Sequence, residues 1–250
     1  ILVTNDDGIT APGIRNLVEF MNELGEVVVV APNSPQSGKG HAITINQTLT
    51  FEEISLEGPQ TDYSLSGTPV DCVKFALDKI LDRKPDIVVS GINHGANSSI
   101  NVIYSGTMSA AVEAGVEGLQ AIGFSLLDFS WDADFSQAKE YIQNIVKKVL
   151  ENPLPKGVVL NVNIPKLPKD EIKGIKVCKQ ANAKWEENFD ERINPHGKKY
   201  YWLTGYFNNM DKSEDADETA LAQGYISIVP VKFDLTAHEY LKELEEVMQF

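Results

Sequence analysis

Two adjacent carboxylates followed by a glycine, Asn5-Asp6-Asp7-Gly8, follow the short apolar strand Ile1-Leu2-Val3-Thr4. Asp and Gly are common turn residues, so a plain turn is one reading. The other reading is chemical. Neighbouring carboxylates repel unless something neutralises them, and Mg2+ or Mn2+, hard cations that prefer oxygen ligands, can do so. On that reading Asp6 and Asp7 hold one divalent cation and are the catalytic pair. The turn has no G-x-G-x-x-G, so a dinucleotide pyrophosphate would lack its glycine cradle, which argues against a dehydrogenase.

Three further segments could serve the same site. Ser34-Pro35-Gln36-Ser37-Gly38-Lys39-Gly40-His41 reads either as a flexible Gly/Ser loop or as a ligand loop. In the second case Ser37 offers a hydroxyl to the cation and the glycines permit close backbone approach. Lys39 and His41 are the cationic or titratable groups there, with Lys39 the candidate for an anionic substrate; His41 reads equally well as packed into a following strand. Ser90-Gly91-Ile92-Asn93-His94-Gly95-Ala96-Asn97 concentrates neutral oxygen donors as plain loops seldom do, and the Asn93 carbonyl suits a hard cation. Tyr104-Ser105-Gly106-Thr107 opens an Ala-rich run. It is either an ordinary Ser/Thr cap, worth about 1 kcal/mol, or an anion site where helix N–H groups, the helix dipole and two hydroxyls meet a phosphate. A cation and a phosphate cradle together are what phosphoryl hydrolysis requires. Gly67-Thr68-Pro69-Val70-Asp71 reads as a helix start, with Thr68 as cap, Pro69 at the first position and Asp71 complementing the dipole. A supporting role near the site is its alternative.

These segments need a scaffold that gathers them. Short apolar or β-branched runs at 1–4, 27–31, 87–89, 121–125 and 158–162 alternate with helical patterns at 69–81, 106–116 and 135–150. Thr10 can cap a further helix with Pro12 in its first turn, Ile14, Leu17, Val18, Met21 and Leu24 on one face and Gly25 ending it. Such alternation specifies an α/β fold, a mostly parallel sheet flanked by helices with ligands at the strands' carboxyl ends. Beyond about residue 172 the pattern changes. Trp185 and Tyr200-Tyr201-Trp202, separated by charged turns, suggest an extended hairpin, and residues 211–218 read as a solvated acidic loop. A strand at 224–229 and an amphipathic helix at 236–248 close the chain.

Composition narrows the function. With 250 residues, 42% hydrophobic, the chain can bury a large core without disulfides, and Cys72 and Cys178 read as reduced, buried thiols. A net charge of −14 with no Lys/Arg cluster argues against polymeric nucleic acid as main partner. No apolar run approaches the roughly 20 residues that span a bilayer, so no membrane partner is expected. The chain opens on a strand without an initiating Met or a signal peptide; the expectation is a residue or two missing and a cytoplasmic protein.

Assembled, the motifs resemble the SurE family, the stationary-phase survival proteins. The resemblance rests on Asn5-Asp6-Asp7-Gly8, Ser37-Gly38, Gly67-Thr68-Pro69-x-Asp71-Cys72-Val73, Ser90-Gly91-Ile92-Asn93-x-Gly95-x-Asn97 and Tyr104-Ser105-Gly106-Thr107, in the family's order and spacing. It continues through Tyr201-Trp202-Leu203 and Gly224-Tyr225-Ile226-Ser227-Ile228-x-Pro230, nearly the whole chain. It implies a Rossmann-like catalytic core over 1–170 and an extension over 171–250 with an oligomerisation hairpin, a core-completing strand and a final helix. It also implies a phosphatase of nucleoside 5′- and 3′-monophosphates, acting on short polyphosphate too, and a homodimer or homotetramer built through the extension. The metal ligands would be Asp6, Asp7, Ser37 and Asn93, and the phosphate-binding positions Asn97, Ser105, Gly106 and Thr107. Asn33-Ser34 stand where the family often has Asp-Arg, Val112-Glu113-Ala114 where Arg-Glu-Gly is common, and Thr204 interrupts a usual Trp-Leu-Gly. None of these departures touches the expected metal ligands.

The expected mechanism has Asp7 or Asp6 orienting or deprotonating a water, while Ser105, Thr107 and backbone N–H groups hold the phosphoryl oxygens. An aspartyl-phosphate is the mechanistic rival. Two other readings of the whole remain: a metal- and nucleotide-binding regulatory module without turnover, and a sugar-nucleotide glycosyltransferase, which the hydroxyl-rich helix start at Ser105 disfavours.

Overall fold

The computed structural model describes residues 1–248. In chain order, the first half runs β1 (Leu2–Thr4), α1 (Pro12–Asn22), β2 (Val28–Pro32), β3 (Phe51–Ile54), β4 (Thr61–Leu65), α2 (Pro69–Phe75), β5 (Val88–His94) and α3 (Gly106–Val116). The second half runs β6 (Ala121–Leu126), α4 (Lys139–Glu151), β7 (Val158–Ile164), β8 (Ile175–Val177), β9 (Ala183–Ile193), β10 (Lys199–Asn209), α5 (Asp217–Ala222), β11 (Ile226–Lys232) and α6 (Leu241–Val247).

The β-branched runs are continuous because their strands are covered on both sides. Neighbouring residues serve opposite cores: Val3, Val29, Val89 and Ile122 pack beneath α1 and α4, whereas Leu2, Val30, Val88 and Ala121 pack beneath α2 and α3. On α1 the residues Ile14, Leu17, Val18 and Met21 are all buried, each worth roughly 1.5–3 kcal/mol. This helix lies so close to β5 that a Cβ on Gly13 would stand 1.9 Å from the Ile92 carbonyl oxygen.

The sheet has nine strands in the order β3-β4-β2-β1-β5-β6-β7-β11-β8. From β4 to β7 the pairings are parallel, and β3 and β11 each run antiparallel to a neighbour. From β1 the chain goes first outward to β2 and β4, then returns to the other side at β5. The crevice at the carboxyl ends of β1 and β5 is therefore the topological switch point where α/β sheets take ligands.

Several expectations are corrected here. The predicted helix 69–81 stops at Phe75 and continues as a π-helical turn, Ala76–Ile80. Thr10 does not cap α1; Ala11 holds that position without a side-chain hydrogen bond. Strand β5 runs on through Asn93 to His94, with a register shift against β6 after Ser90 and a cis Gly91–Ile92 peptide, so half of the expected loop is strand. The edge strand β3 and its neighbour β4 carry no strong apolar alternation and are not predicted from the sequence. Beyond residue 170, β11 joins the sheet beside β7 as the core-completing strand, and β8 pairs on its outer side. The hairpin β9–β10 projects as its own two-stranded ribbon. Helix α6 is shorter than expected and has no buried residue. Cys72 and Cys178 are free and buried.

Candidate active site

Three loops at the switch point are laced together by backbone. Gln36 N–H donates to the Asp6 carbonyl (2.7 Å), Gly40 N–H to that of Tyr104 (3.2 Å), and His94 N–H to the Asp7 carboxylate (3.4 Å). These bonds bring Asp6, Ser37, Asn93, Asn97 and Ser105, distant in sequence, onto the wall of one cavity of about 490 Å³.

Asp6 is the centre of it and only 3% exposed. The Thr107 hydroxyl donates to its Oδ1. Burial first, and then the neighbouring Asp7 charge, push the Asp6 carboxyl up to about 6, against Thr107, whose hydroxyl and N–H pull it down. Asp7 is also raised by burial, opposed by nearby His94 and its backbone N–H. Helix α3 comes close to this pair because its first residue is glycine: a Cβ on Gly106 would lie 2.6 Å from Asp6 Cβ and 2.9 Å from its Oδ2. The absent side chain leaves that oxygen clear.

These residues fit a hard cation. Among the described residues no group of three or more His, Cys, Asp or Glu is arranged as ligands, so a nitrogen/sulfur site of that kind is not built. The donor set at the crevice is all oxygen: two carboxylates, the exposed Ser37 hydroxyl and the Asn93 amide. Asn93 Nδ2 donates to Gly95 O (2.8 Å), which leaves its carbonyl oxygen for the cavity it lines. Two carboxylates whose proximity raises the pKa of one are the environment that a divalent ion relieves.

The phosphate candidates are placed unequally. Ser105 lines the cavity and caps α3, accepting from Met108 N–H at 3.0 Å. Gly106 follows it in the first turn, where backbone N–H groups lack intrahelical partners. Thr107 is fully buried with its hydroxyl engaged by Asp6, so its first partner is the carboxylate rather than the cavity. Lys39 is exposed and does not line the cavity. Asn97 is held from behind by a buried polar ladder. Its N–H donates to Asn163 Oδ1 and its Nδ2 to Ser125 Oγ, both 2.8 Å. Asn161 in turn donates to the Asn97 carbonyl (2.8 Å) and accepts from Asn163 (2.9 Å).

Sequence reasoning missed that ladder, although two asparagines in the otherwise apolar run Val158–Ile164 were a usable signal. It also missed Ser98, Asn101, Phe129, Phe207 and Glu218, which share the cavity wall with Trp185. The acidic stretch 211–218 is corrected at its end: Lys212, Glu214 and Asp215 are exposed as expected, but Ala216 and Asp217 are buried. Asp217 is fully buried and accepts the N–H groups of Ser99 (2.8 Å) and Ala181 (3.0 Å). His41 is not packed into a strand; with Lys74 it pairs with buried Glu113 on α3, at 2.8 and 2.5 Å.

Comparison with known proteins supports the fold and places the chain in a family. The family model described as Survival protein SurE matches residues 1–187. The 5′-nucleotidase SurE of Christiangramia forsetii is 68% identical, the match covering 98% of this chain and 95% of the relative. That of Phocaeicola vulgatus is 43% identical over the same shares. In three dimensions the chain is similar to the crystal structure of the SurE protein from Aquifex aeolicus, with a TM-score of 0.85, 38% identity and 98% of each chain covered. A match over most of the chain, with the crevice formed by the quoted motifs, settles the classification: the chain belongs to the SurE family.

Proposed function

We infer that the chain is a phosphoric monoester hydrolase, a nucleotidase that releases phosphate from nucleoside monophosphates. Its relatives carry the name 5′-nucleotidase SurE. The observation that carries the chemistry is the buried Asp6 carboxylate, braced by Thr107 and facing the same cavity as the start of α3.

The finer reading is that activity needs one divalent cation, Mg2+ or Mn2+, held by Asp6, Asp7, Ser37 and Asn93. When bound, such an ion supplies positive charge against the phosphoryl group and acidifies water. Thr107 fixes the angle of the Asp6 carboxylate, and Asp7, half-buried beside it, orients or deprotonates the attacking water. The Gly106 N–H and the α3 dipole stabilise charge on the phosphoryl oxygens, with Ser105 and Asn97 beside them. The family resemblance extends the substrates to 3′-monophosphates and short polyphosphate. It extends the assembly to a homodimer or homotetramer, and exposed Phe189, Tyr201, Trp202 and Tyr206 on the hairpin support a protein–protein contact there.

Phosphate release from AMP and GMP, with Mg2+ or Mn2+ against EDTA, tests both levels. Nucleotide binding without release would make the protein a regulatory module, and release unaffected by EDTA would remove the cation. Asp7→Asn with excess metal should lose most activity. Oxygen-18 from labelled water appearing in Asp6 or Asp7 after one turnover would replace direct water attack by an aspartyl-phosphate.

A further inference from the structure

The cavity that opens on Asp6 has a second wall, contributed by the C-terminal half of the chain. Glu218, in the first turn of α5, is half-buried and lines it. Its Oε1 accepts the Ser98 hydroxyl at 2.5 Å. Asp217 beside it grips the backbone of Ser99 and Ala181, which fixes the start of α5 against the loop that follows Asn97. Trp185 and Phe207 face each other across the root of the β9–β10 hairpin, with ring centroids 5.6 Å apart. The Trp185 indole donates to Asn101 Oδ1 at 2.8 Å, which holds the ring at the cavity edge.

A carboxylate in a cavity that must also receive a phosphate is unfavourable unless the ligand brings it hydrogen-bond donors. Burial already raises its pKa, with the Asp217 charge adding and the Ser98 hydroxyl opposing. The chain position says which donors are in reach. Ser98 follows Asn97, the residue at the phosphate end, by one Cα step of about 3.8 Å. In a nucleoside 5′-monophosphate the sugar is joined to the phosphate by a single methylene and oxygen. Glu218, bonded to Ser98 next to Asn97, thus shares one cavity with the phosphate end, and the aromatic pair lines the same wall. Carboxylates take ribose hydroxyls in the same way in dinucleotide folds.

We propose that Glu218 is a specificity-determining residue that accepts hydrogen bonds from the ribose hydroxyls of the substrate, with Trp185 and Phe207 flanking its base. The proposal rests on the nucleotidase reading and names the part of the substrate that this wall recognises. It is tested with AMP and 2′-deoxy-AMP, in Mg2+, on the wild type, Glu218→Ala and Ser98→Ala, measuring kcat/KM by phosphate release and Kd by calorimetry. The wild type should favour AMP by about tenfold or more, the scale expected when an acceptor in a site loses its donor. That ratio should collapse toward one in Glu218→Ala and shrink partly in Ser98→Ala, which frees the carboxylate to swing. A merely structural Glu218 would weaken both substrates alike and leave the ratio intact, which overturns the proposal, as would a wild type that does not distinguish them. If the wild type releases no phosphate from either nucleotide, the nucleotidase reading fails, and the Kd ratio alone then decides the role of Glu218.

Discussion

Gly106→Ala is the sharpest perturbation of the site, because it adds one methyl group and no charge. That methyl would meet Asp6 Cβ at 2.6 Å and Oδ2 at 2.9 Å, where ordinary contact begins at 3.4 Å. Either the start of α3 or the Asp6 side chain must therefore move by about 0.8 Å, less than the 1 Å misplacement that can cost of order a hundredfold in rate. Neither can move freely, since Asp6 and Met108 are buried and Gly106 lies in a packed first turn. Overpacking of this kind costs roughly 1–3 kcal/mol. For a chain of this length each kcal/mol lowers Tm by about 2–4 °C. Phosphate release from AMP at 25 °C, well below the melt, should fall by roughly 30–100-fold by the same displacement argument. Gly25→Ala is the control, because a Cβ there meets nothing within 4 Å and Gly25 lies far from the site. A Gly106→Ala protein with wild-type kcat and an unchanged melt would refute the claim that α3 is placed by the size of this residue.

Three further perturbations probe the supports. Thr107→Val removes a donor from the buried Asp6 carboxylate and should cost roughly 1–3 kcal/mol in urea unfolding; an unchanged midpoint would show that the hydroxyl carries no such bond. Asp217→Asn turns an NH2 toward backbone donors that the carboxylate now satisfies, so it should cost about 3 kcal/mol and raise KM for AMP by loosening the Ser98–Ser99 loop; full stability with unchanged KM would contradict that. Glu113 is raised by burial but pulled further down by the hydrogen bonds from His41 and Lys74, so its folded pKa lies below the ordinary carboxylate range. A depressed acid contributes stability that is present above its unfolded pKa and lost as pH falls through the folded one. Glu113→Gln should therefore be less stable than wild type at pH 7, with the gap closing as pH falls below the ordinary carboxylate range; a constant gap would assign its effect to packing alone.

Much of the scaffold was legible because both faces of the sheet are covered. Continuous runs such as Val27-Val28-Val29-Val30 and small-residue stretches such as 106–116 leave few alternatives once strands and helices alternate. The loops of the candidate site were legible for a different reason: Asp6-Asp7 and the Asn-rich turn put unusual chemistry after apolar strands. What stayed hidden depends on contacts across more than a hundred residues. Glu218 looks like one more solvated acid in a polar stretch, and only its bond to Ser98 shows otherwise. Thr107 looked like a phosphate donor because helix starts bind anions, but the close approach permitted by Gly106 gives its hydroxyl to Asp6 instead. Trp185 was read with the exposed hairpin, although its indole is tied back to Asn101 at the cavity. A helix start can be recognised in sequence; the partner of each side chain on it cannot.

The charges around the crevice make the strongest case for a cation. Asp6 and Glu218 line the cavity, Asp7 follows Asp6 and accepts the His94 N–H, and no Lys or Arg is among the lining residues. A phosphate monoester adds nearly two more negative charges near neutral pH. Each like-charge pair at 4 Å costs about 4 kcal/mol at an effective dielectric of 20, so several such pairs exceed what one helix dipole, at most about 2 kcal/mol, can return. Lys39 cannot close the gap from an exposed loop outside the cavity. A divalent ion held by Asp6 and Asp7, as proposed, would reverse the sign of the nearest terms and turn repulsion between carboxylates and phosphate into attraction of each to the ion. On the proposed reading, an acidic chain can then serve small anionic esters, because the bound ion would supply the positive charge that the side chains around the crevice lack.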